Sequence, residues 1–337
     1  MTNLKFKNNN FNVIDSDIFS FVSNNKNKIF DITNEDAKKF SNELNHKNWQ
    51  EVAFDMYYDT NQWLYEIITD SNRSDFLFLL DIKKDDLVLD VGAGWGQISV
   101  PLSAYCNVVA LEKYLEKIEI IKKIAKQEKC TNIQYVAANF SDDVFEPNQF
   151  DLIILNGVFE WISEFSIGEN PLEIQRRTLD KIFELLKPRG TLYIGIENRF
   201  GLKYILGEAD DHTGLEDFVY LDHNTQSLLY KIIKQKDLRV FTHSKKNYQT
   251  MLEDAGFHSI RFFGDLPDYK RIKTMIDLSN DYPTSFHKTN LEFIPEFNGY
   301  GGHFSILNEK IRHIYTALSS NEIKNLYPSY SIIARKN

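Results

Sequence analysis

The 337-residue sequence has few cysteines, no excess of positive charge and no long apolar run. Its two cysteines, Cys106 and Cys130, exclude a disulfide framework and favour a reducing compartment, so we expect a cytoplasmic protein. The 39 basic and 48 acidic residues give a formal net charge of −9, which disfavours a nucleic-acid partner because phosphate backbones attract a basic surface. No signal-peptide pattern opens the chain, and no apolar stretch reaches the ~18 residues of a membrane span.

The chain does contain enough apolar residues for a core, and they follow an alternating pattern of strands and helices. Hydrophobic residues make up 42% of the sequence and aromatic residues 14%, which excludes global disorder. The pattern predicts strands at 87–91, 107–111, 133–137, 150–155, 191–197, 260–263 and 330–334, with helices at 97–104, 116–127, 172–186 and 246–255. This alternation predicts an α/β protein with a Rossmann-like, doubly wound, seven-stranded and mostly parallel sheet.

Two domains are expected from the change in pattern along the chain. Residues 1–30 are rich in Asn, Lys and Ser and predict little regular structure, whereas 35–80 repeat apolar residues at helical spacing. We therefore expect an N-terminal helical cap over residues 1–80 and a core domain over 81–337. Long insertions at about 198–243 and 270–325 interrupt the core, and segments of this length are typical of lids or binding elements.

An apolar strand ending at Val91 runs directly into three glycines, Gly92, Gly94 and Gly96. Glycine permits a turn with positive φ and lets a ligand lie against bare backbone, and the helix start that follows offers unpaired N–H groups. The dinucleotide fingerprint G-x-G-x-x-G would need its third glycine where Gln97 stands, and the acid at Asp90 also departs from the usual pattern. The stretch therefore predicts a nucleotide-type cofactor other than a dinucleotide.

The pattern Asp-x-Gly-x-Gly-x-Gly resembles the first motif of class I S-adenosylmethionine (SAM) dependent methyltransferases. The resemblance covers about residues 85–200 and the last predicted strand. It implies S-adenosyl-L-methionine as the cofactor, with the main chain of Gly92, Ala93 and Gly94 facing its methionine portion. Asp90 is implied as the acid that precedes the loop.

Three further strand ends contribute to the same predicted site, because ligands of doubly wound sheets bind beyond the carboxyl ends of the strands. Glu112 ends the second strand, where a carboxylate can accept both ribose hydroxyls; the alternative is a solvated acid at a helix start. The resemblance implies that Asn139 and Phe140 contact the adenine and that Asn156 borders the sulfonium. Many relatives carry His where this chain has Trp161, so no base is expected there.

Polar and aromatic residues are dense in three stretches that follow the fifth and sixth predicted strands. Loop residues of this kind are more often functional than structural. The stretches resemble those of bacterial methyltransferases associated with cell-surface glycan assembly, which carry similar Glu-Asn-Arg…Gly-Leu-Lys-Tyr, Asp-His-Thr-Gly and Pro-Asp-Tyr-Lys segments. The resemblance implies a small-molecule or glycan-type acceptor. We expect this acceptor to contact Glu197, Arg199, Lys203 and Tyr204.

His212 is the candidate general base, because the pKa of an imidazole lies near neutrality. The alternative is a histidine that orders its own loop by hydrogen bonds. Asp211 is expected to orient it, and Tyr269 is the third candidate catalytic residue. Arg199 and Lys203 suit an anionic acceptor such as a phosphate or a uronic acid, unless Arg199 bridges an acid of the chain itself.

Three hypotheses about function follow. The first is a SAM-dependent methyltransferase that acts on a small-molecule or sugar-type acceptor, most naturally at oxygen. The others are a nicotinamide-dependent oxidoreductase and a non-catalytic SAM-binding partner protein. We expect no metal ion, because the adjacent residues Asp210, Asp211 and His212 are poorly spaced to share one.

Overall fold

The structure is a computed structural model and describes residues 4–7, 11–21, 32–164, 166, 168–205, 207–292 and 317–337. Parts of the expected cap at 1–80 and of the expected insertion at 270–325 lie outside these residues. The strands are β1 (Asn12–Asp15), β2 (Ile18–Ser20), β3 (Leu87–Val91), β4 (Asn107–Glu112), β5 (Ile133–Ala137), β6 (Phe150–Asn156), β7 (Leu186–Glu197), β8 (His258–Leu266), β9 (Thr274–Asp277) and β10 (Ser329–Arg335).

Eleven α-helices and three short 3-10 helices are described alongside these strands. The α-helices are α1 (Asn34–Glu43), α2 (Trp49–Tyr57), α3 (Gln62–Thr69), α4 (Ser99–Leu102), α5 (Leu115–Gln127), α6 (Pro171–Leu185), α7 (Leu202–Ile205), α8 (His223–Lys234), α9 (Lys245–Asp254), α10 (Thr284–Glu292) and α11 (Ser320–Ile323). The 3-10 helices are Ser71–Leu79, Phe159–Trp161 and Phe218–Tyr220. Each described helix is too short or too polar to cross a membrane.

The chain divides into two units, and the division passes through β7. The first unit comprises Met1–Asn156, Lys181–Tyr193 and Arg335–Asn337, and the second comprises Gly157–Asp180 and Ile194–Ala334. The predicted boundary between a cap and a core near residue 80 stays a prediction. Both units are described separately below.

Parallel strands in the first unit bring several chain segments to one sheet edge. Its strands hydrogen-bond in the order β1-β2-β5-β4-β3-β6-β7. The pairs β2–β5, β5–β4, β4–β3 and β3–β6 are parallel, and Val91 at the end of β3 pairs with Leu111 of β4 and Leu155 of β6. The segments that follow β3, β4, β5 and β6 therefore start side by side, as ligand sites in such sheets require.

The prediction of seven strands is wrong in number, because ten are described. Two of the additional strands, β1 and β2, come from the Asn-rich start for which the sequence predicted little structure. They form an antiparallel pair, and β2 pairs in parallel with β5 through Phe19 and Val136. The rings of Phe6 and Phe11 lie 5.1 and 5.5 Å from that of Phe19. These aromatic contacts are long-range and leave no periodic pattern in so short a segment.

The helices α1, α2 and α3 form because polar caps precede amphipathic segments. Thr33 and Asp36 make a reciprocal capping box at α1, and the side chains of Asn48 and Asn61 accept backbone N–H bonds at the starts of α2 and α3. Their apolar faces join one buried cluster with Trp95 and residues of α5. The helical prediction for residues 35–80 is confirmed, and this layer is part of the first unit.

In the second unit, the order of strands after Ile194–Glu197 of β7 is β10, β8 and β9, with β8 and β9 antiparallel. Strand β9 lies in the expected insertion at 270–325 and is the third strand that the sequence missed. The expected connection at 198–243 contains α7, a 3-10 helix and α8 rather than a simple loop. Asp222 caps α8 by accepting two backbone N–H bonds.

Gly264 of β8 is required by the ring of Tyr327. A Cβ added at Gly264 would lie 2.2 Å from Cδ1 of Tyr327. That ring is fully buried, and its hydroxyl is 2.9 Å from Nδ1 of the buried His287, so it cannot swing away. Close packing of this kind leaves no room for a methyl group.

We expect Gly264→Ala to lower the free energy of unfolding by an amount at the upper end of ~1–3 kcal/mol, the usual cost of overpacking. Chemical denaturation of both proteins measures it. The control is Gly214→Ala, where an added Cβ meets nothing within 4 Å and only the positive φ is strained. Equal stability of Gly264→Ala and wild type would contradict the packing described for Tyr327.

Asp90 of β3 is an acid buried in the middle of the sheet, with 1% of its surface exposed. Burial raises the pKa of Asp90 to about 7, although the Ser99 hydroxyl, which donates to Oδ2 at 2.5 Å, and the charge of Arg73 both favour the carboxylate. The folded protein therefore holds a proton at Asp90 in a pH range where the unfolded chain has lost it. In that range the free energy of unfolding falls as the pH rises.

We expect Asp90→Asn, which cannot ionise, to remove this part of the pH dependence. The free energy of unfolding of Asp90→Asn minus that of the wild type should increase as the pH rises from roughly 4 to 8, by an amount on the order of 4 kcal/mol. Urea denaturation at a series of pH values measures the difference. The exposed Asp81→Asn is the control and should show a constant difference. A pH-independent difference for Asp90→Asn would refute the buried, protonated carboxyl.

Candidate active site

The glycine loop after β3 has the positive-φ geometry that its sequence predicts. Gly92, Gly94 and Gly96 have φ values of 69°, 58° and 84°, a region that side chains with Cβ rarely adopt. The N–H groups of Gly92 and Ala93 donate to the carbonyl of Leu111 at 2.8 and 3.0 Å, so the loop turns back over the end of β4. The main chain of the loop is thus placed at the carboxyl edge of the sheet.

The residue that separates this loop from the dinucleotide fingerprint is Gln97. Its Oε1 accepts the N–H of Trp95 at 3.0 Å, and its Nε2 donates to the carbonyl of Ile67 at 3.2 Å. A glycine at this position would remove both bonds. The close helix contact falls instead to Gly96, where an added Cβ would lie 3.1 Å from Cγ2 of Ile121.

Glu112 lies at the end of β4 and is tied to the glycine loop. Its Oε2 accepts the N–H of Gly94 at 3.1 Å, and its Oε1 accepts the N–H groups of Lys113 at 2.9 Å and Tyr114 at 3.4 Å. The carboxylate is therefore held in one orientation beside the loop. The structure brings together Glu112 and Gly94 as the sequence predicts, while the ribose contact stays a prediction.

The residues expected around the adenine follow β5. The backbone N–H of Ser141 donates to Oδ1 of Asn139 at 3.3 Å, which closes a tight turn. Phe140 is buried, and the Lys181 ammonium lies 5.1 Å from its ring centroid and donates to its carbonyl at 2.7 Å. Burial lowers the pKa of Lys181 to about 8. The turn holds Phe140 at the same edge as Glu112, whose neighbour across the sheet is Ala137.

Asn156 supplies the test of whether this edge fits a polar ligand. Only 4% of its surface is exposed, and neither Oδ1 nor Nδ2 has a hydrogen-bond partner within the described part of the chain. Burying an amide without hydrogen-bond partners costs several kcal/mol on transfer from water to an apolar solvent, and about 1–3 kcal/mol by mutational measurements. Buried amides therefore normally have hydrogen-bond partners. A ligand with both a donor and an acceptor fits this position.

A second group of polar residues lies in the second unit, and we call it the carboxylate–histidine centre. It consists of Glu160 in the 3-10 helix Phe159–Trp161, Glu197 at the end of β7, and His212 in the loop after α7. One ligand atom from each lies within 4.8 Å of the others, and Nε2 of His212 is 3.8 Å from Oε2 of Glu197. Both oxygens of Glu160 and Oε2 of Glu197 have no hydrogen-bond partner among the described residues.

Two neighbours hold Glu197 by its other oxygen. The Lys270 ammonium lies 2.6 Å from Oε1, and the Tyr269 hydroxyl donates to the same oxygen at 3.1 Å. Gly157 makes room for this tyrosine, because an added Cβ would lie 2.7 Å from its hydroxyl. The predicted residues Glu197 and Tyr269 are therefore in direct contact.

The residue that faces His212 is Asp210 and not the expected Asp211. Oδ1 of Asp210 is 3.7 Å from Nδ1 of His212, whereas Asp211 pairs with Lys203 at 2.5 Å and lies 3.7 Å from Lys270. Asp210 is itself held by the N–H and hydroxyl of Thr213. Residues two positions apart in a tight turn, such as Asp210 and His212, can lie on the same side of the chain. Direct neighbours, such as Asp211 and His212, point to different sides.

The ionisation of the centre follows from its burial and its mixed charges. Burial opposes the charged form of His212, but the carboxylates of Glu197, Asp210 and Glu160 raise its pKa to about 9. Burial and the charge of Glu197 raise the pKa of Glu160 to about 8. Burial opposes ionisation of Glu197 too, yet Lys270 and His212 lower its pKa to about 2. Burial therefore favours the protonated form of Glu160 in the ion-free centre, and the surrounding carboxylates favour the protonated form of His212.

Arg199 and Tyr204 are placed differently from the expected acceptor contacts. The Arg199 guanidinium donates from Nε to the carbonyl of Val219 at 2.6 Å and from a terminal nitrogen to the carbonyl of Leu221. It therefore holds its own loop. Tyr204 is buried with a hydroxyl that has no partner in the described chain, and burial raises its pKa well above the usual value.

The sequence did not single out Glu160 or Asp210 as functional residues. Glu160 directly precedes Trp161. Position 161 was considered in the sequence because many relatives carry His there, and position 160 was not considered. The signal that could have identified Glu160 is an acid inside an otherwise apolar stretch directly after a buried strand.

Two curated relatives share part of the sequence. The chain is 23% identical over 149 residues to the release factor glutamine methyltransferase of Francisella tularensis subsp. tularensis, covering 42% of this chain and 48% of that protein. It is 34% identical over 82 residues to the 23S rRNA (uracil(1939)-C(5))-methyltransferase of Mannheimia succiniciproducens, covering 23% and 19%. The chain therefore spans less than half the length of these relatives.

Solved structures with a similar backbone fold include two methyltransferases. A Haemonchus contortus phosphoethanolamine N-methyltransferase 2, in complex with phosphomonomethylethanolamine and S-adenosylhomocysteine, has a TM-score of 0.46 at 15% identity, covering 86% of this chain and 60% of that one. A SAM-dependent methyltransferase of Methanosarcina mazei has a TM-score of 0.41 at 16% identity, covering 76% and 94%.

A family model described as a methyltransferase domain matches residues 82–256, more than half of the 337-residue chain. The matched segment contains the glycine loop, Glu112, Asn156 and the centre residues Glu160, Glu197 and His212. The match favours the methyltransferase hypothesis over the nicotinamide-dependent one. The chain belongs to the methyltransferase-domain family.

Proposed function

We propose that the protein transfers the methyl group of S-adenosyl-L-methionine to an oxygen atom of a small-molecule or sugar-type acceptor. The observation that carries the proposal is the contact between the Gly94 N–H and the Glu112 carboxylate at the carboxyl edge of the first unit's sheet. It joins the positive-φ glycine loop to the one acid of β4. That combination supports a cofactor with both an amino-acid portion and a ribose.

Several residues of the first unit would hold the cofactor. The main chain of Gly92, Ala93 and Gly94 would face its methionine portion, and Glu112 would accept the ribose hydroxyls. The remaining candidates are Asp90, Asn139, Phe140 and Asn156. When bound, the cofactor supplies an electrophilic methyl group on a positively charged sulfur. The chain's own contribution is alignment, which can supply ~7–11 kcal/mol of a displacement barrier.

The polar residues of the second unit support an acceptor that presents hydroxyl groups. Oε2 of Glu197, which has no hydrogen-bond partner among the described residues, is an acceptor on an ionised carboxylate, so it favours a ligand that donates. Arg199 donates to carbonyl groups of its own loop and Lys203 lies against Asp211, which removes the expected support for an anionic acceptor. A hydroxyl that becomes methylated loses its proton, and we infer that the carboxylate–histidine centre governs that loss.

Three finer statements rest on the sequence. The sugar-type acceptor rests on the segments that resemble methyltransferases of glycan assembly. The absence of a nucleic-acid partner rests on the net charge of −9. The cytoplasmic location rests on the two free cysteines, Cys106 and Cys130. Treatment of the labelled product with RNase or protease distinguishes a small-molecule acceptor from the rRNA and protein acceptors named for the curated relatives.

We expect Gly94→Val and Glu112→Ala to weaken binding of S-adenosylhomocysteine by about 10- to 100-fold. A β-branched side chain cannot adopt the φ of 58° at Gly94, and loss of a charged hydrogen-bond partner costs ~1.5–3 kcal/mol. Isothermal titration measures both affinities. Glu119→Ala, an exposed acid of α5, is the matched control. Unchanged affinity in both variants, with folding verified by circular dichroism, would defeat the cofactor assignment.

We expect methyl transfer from labelled SAM to a low-molecular-mass fraction of cell extract, and we expect His212→Asn to reduce it at least ~100-fold. The affinity for S-adenosylhomocysteine should stay within about twofold, because His212 belongs to the acceptor side. The exposed His258→Asn is the control. Label that disappears on RNase or protease treatment would overturn the small-molecule acceptor. No transfer to any fraction would favour a non-catalytic SAM-binding protein.

A further inference from the structure

We propose that Glu160, Glu197 and His212 bind a divalent metal ion of the Mn²⁺ or Zn²⁺ type. The sequence predicted no metal site, because it considered only the adjacent residues Asp210, Asp211 and His212. The three ligands proposed here come instead from three separated segments, each rigidly placed by its own element. Ion binding by this centre does not depend on the proposed methyl acceptor.

Unpartnered ligand atoms converge at this centre. Both oxygens of Glu160 and Oε2 of Glu197 are buried without hydrogen-bond partners in the part of the chain that the structure describes, and Nε2 of His212 lies 3.8 Å from that same oxygen. One ligand atom from each residue lies within 4.8 Å of the others. Bonds of ~2.1 Å place ligand atoms up to about 4.2 Å apart, so a small contraction closes the site.

The neighbours of these three residues orient them as the outer partners of a metal site do. Asp210 lies against Nδ1 of His212, which leaves Nε2 directed into the centre. A carboxylate behind a histidine is the usual outer partner of a metal ligand. Lys270 and Tyr269 both contact Oε1 of Glu197, so Oε2 remains for an ion.

The centre carries a formal negative charge in the form that ligates a metal. With all four carboxyl groups ionised and the histidine neutral, the two ammonium groups leave −2; the contributing residues are Glu160, Glu197, Asp210, Asp211, Lys203 and Lys270. A buried negative charge needs a counter-charge, and one divalent cation supplies it. Two carboxylate oxygens and one imidazole suit Mn²⁺ or Zn²⁺ better than soft metals.

Where the proposed function holds, such an ion would also serve the acceptor. A cation beside an acceptor hydroxyl lowers the pKa of that hydroxyl. The O–H bond then breaks with release of the proton to water, the oxygen forms a bond to the methyl carbon, and the carbon–sulfur bond of the donor breaks. The products are a methyl ether, S-adenosylhomocysteine and one proton. This step rests on the proposed function.

Calorimetric titration of Mn²⁺ and Zn²⁺ into the full chain, first stripped with EDTA, tests the ion site. We expect one saturable equivalent per chain for the wild type. Glu160→Gln and His212→Asn should weaken it at least about tenfold, since even outer partners of metal ligands change affinity by 10- to 100-fold. Glu253→Gln, an exposed acid of α9, should bind as the wild type does.

The fold of Glu160→Gln can be verified without metal. Its amide has nearly the shape of the carboxyl group, so its midpoint of thermal unfolding should match or exceed that of the wild type when EDTA is present. Added Mn²⁺ should then raise the midpoint of the wild type alone. Absence of saturable binding by the wild type, or equal binding by Glu160→Gln, overturns the ion site and leaves protons to neutralise the centre. Titration of S-adenosylhomocysteine into metal-free protein tests the cofactor site separately.

Discussion

Parallel pairing of β3 with β4 and β6 is the constraint on which the cofactor edge depends. Because Val91, Leu111 and Leu155 stand in register, the loop after β3, the carboxylate of Glu112 and the amide of Asn156 all begin at the same level of the sheet. The loop can then turn over the end of β4 and place the Gly94 N–H on Glu112. A shift of one residue would turn these side chains to the opposite face of the sheet.

The strands of this edge were predictable because each is a short apolar run bounded by polar or glycine residues. Leu87–Val91 and Ile133–Ala137 have the predicted bounds, while β4 and β6 each extend one residue further. By contrast, β1 and β2 lie in an Asn-rich segment and exist through contacts with β5 and with distant aromatic rings. Such contacts depend on the folded chain, so a local pattern does not contain them.

The site residues likewise divide into those that the local sequence predicts and those that depend on the folded chain. Asp90, Gly94 and Glu112 follow from motif spacing, since the chemistry needs those residue types at strand ends. Arg199 was predicted as an anion contact because a guanidinium suits one, yet the carbonyls of Val219 and Leu221 and the ring of His223 lie against its nitrogens. Glu160 was missed because nothing in its local sequence reveals that burial will leave both oxygens without partners.

Unpartnered atoms restrict the ligand chemistry more than charged residues do. Lys203 was expected to suit an anionic acceptor, but the carboxylate of Asp211 already lies against it, as that of Glu197 lies against Lys270. What remains is a set of oxygens on Glu160 and Glu197 without hydrogen-bond partners among the described residues. A ligand that brings donor groups or positive charge fits the ionised form of these oxygens, whereas an anion would be repelled by the carboxylate of Glu197. A hydroxyl-bearing acceptor and a divalent cation both satisfy that requirement, and both can do so together.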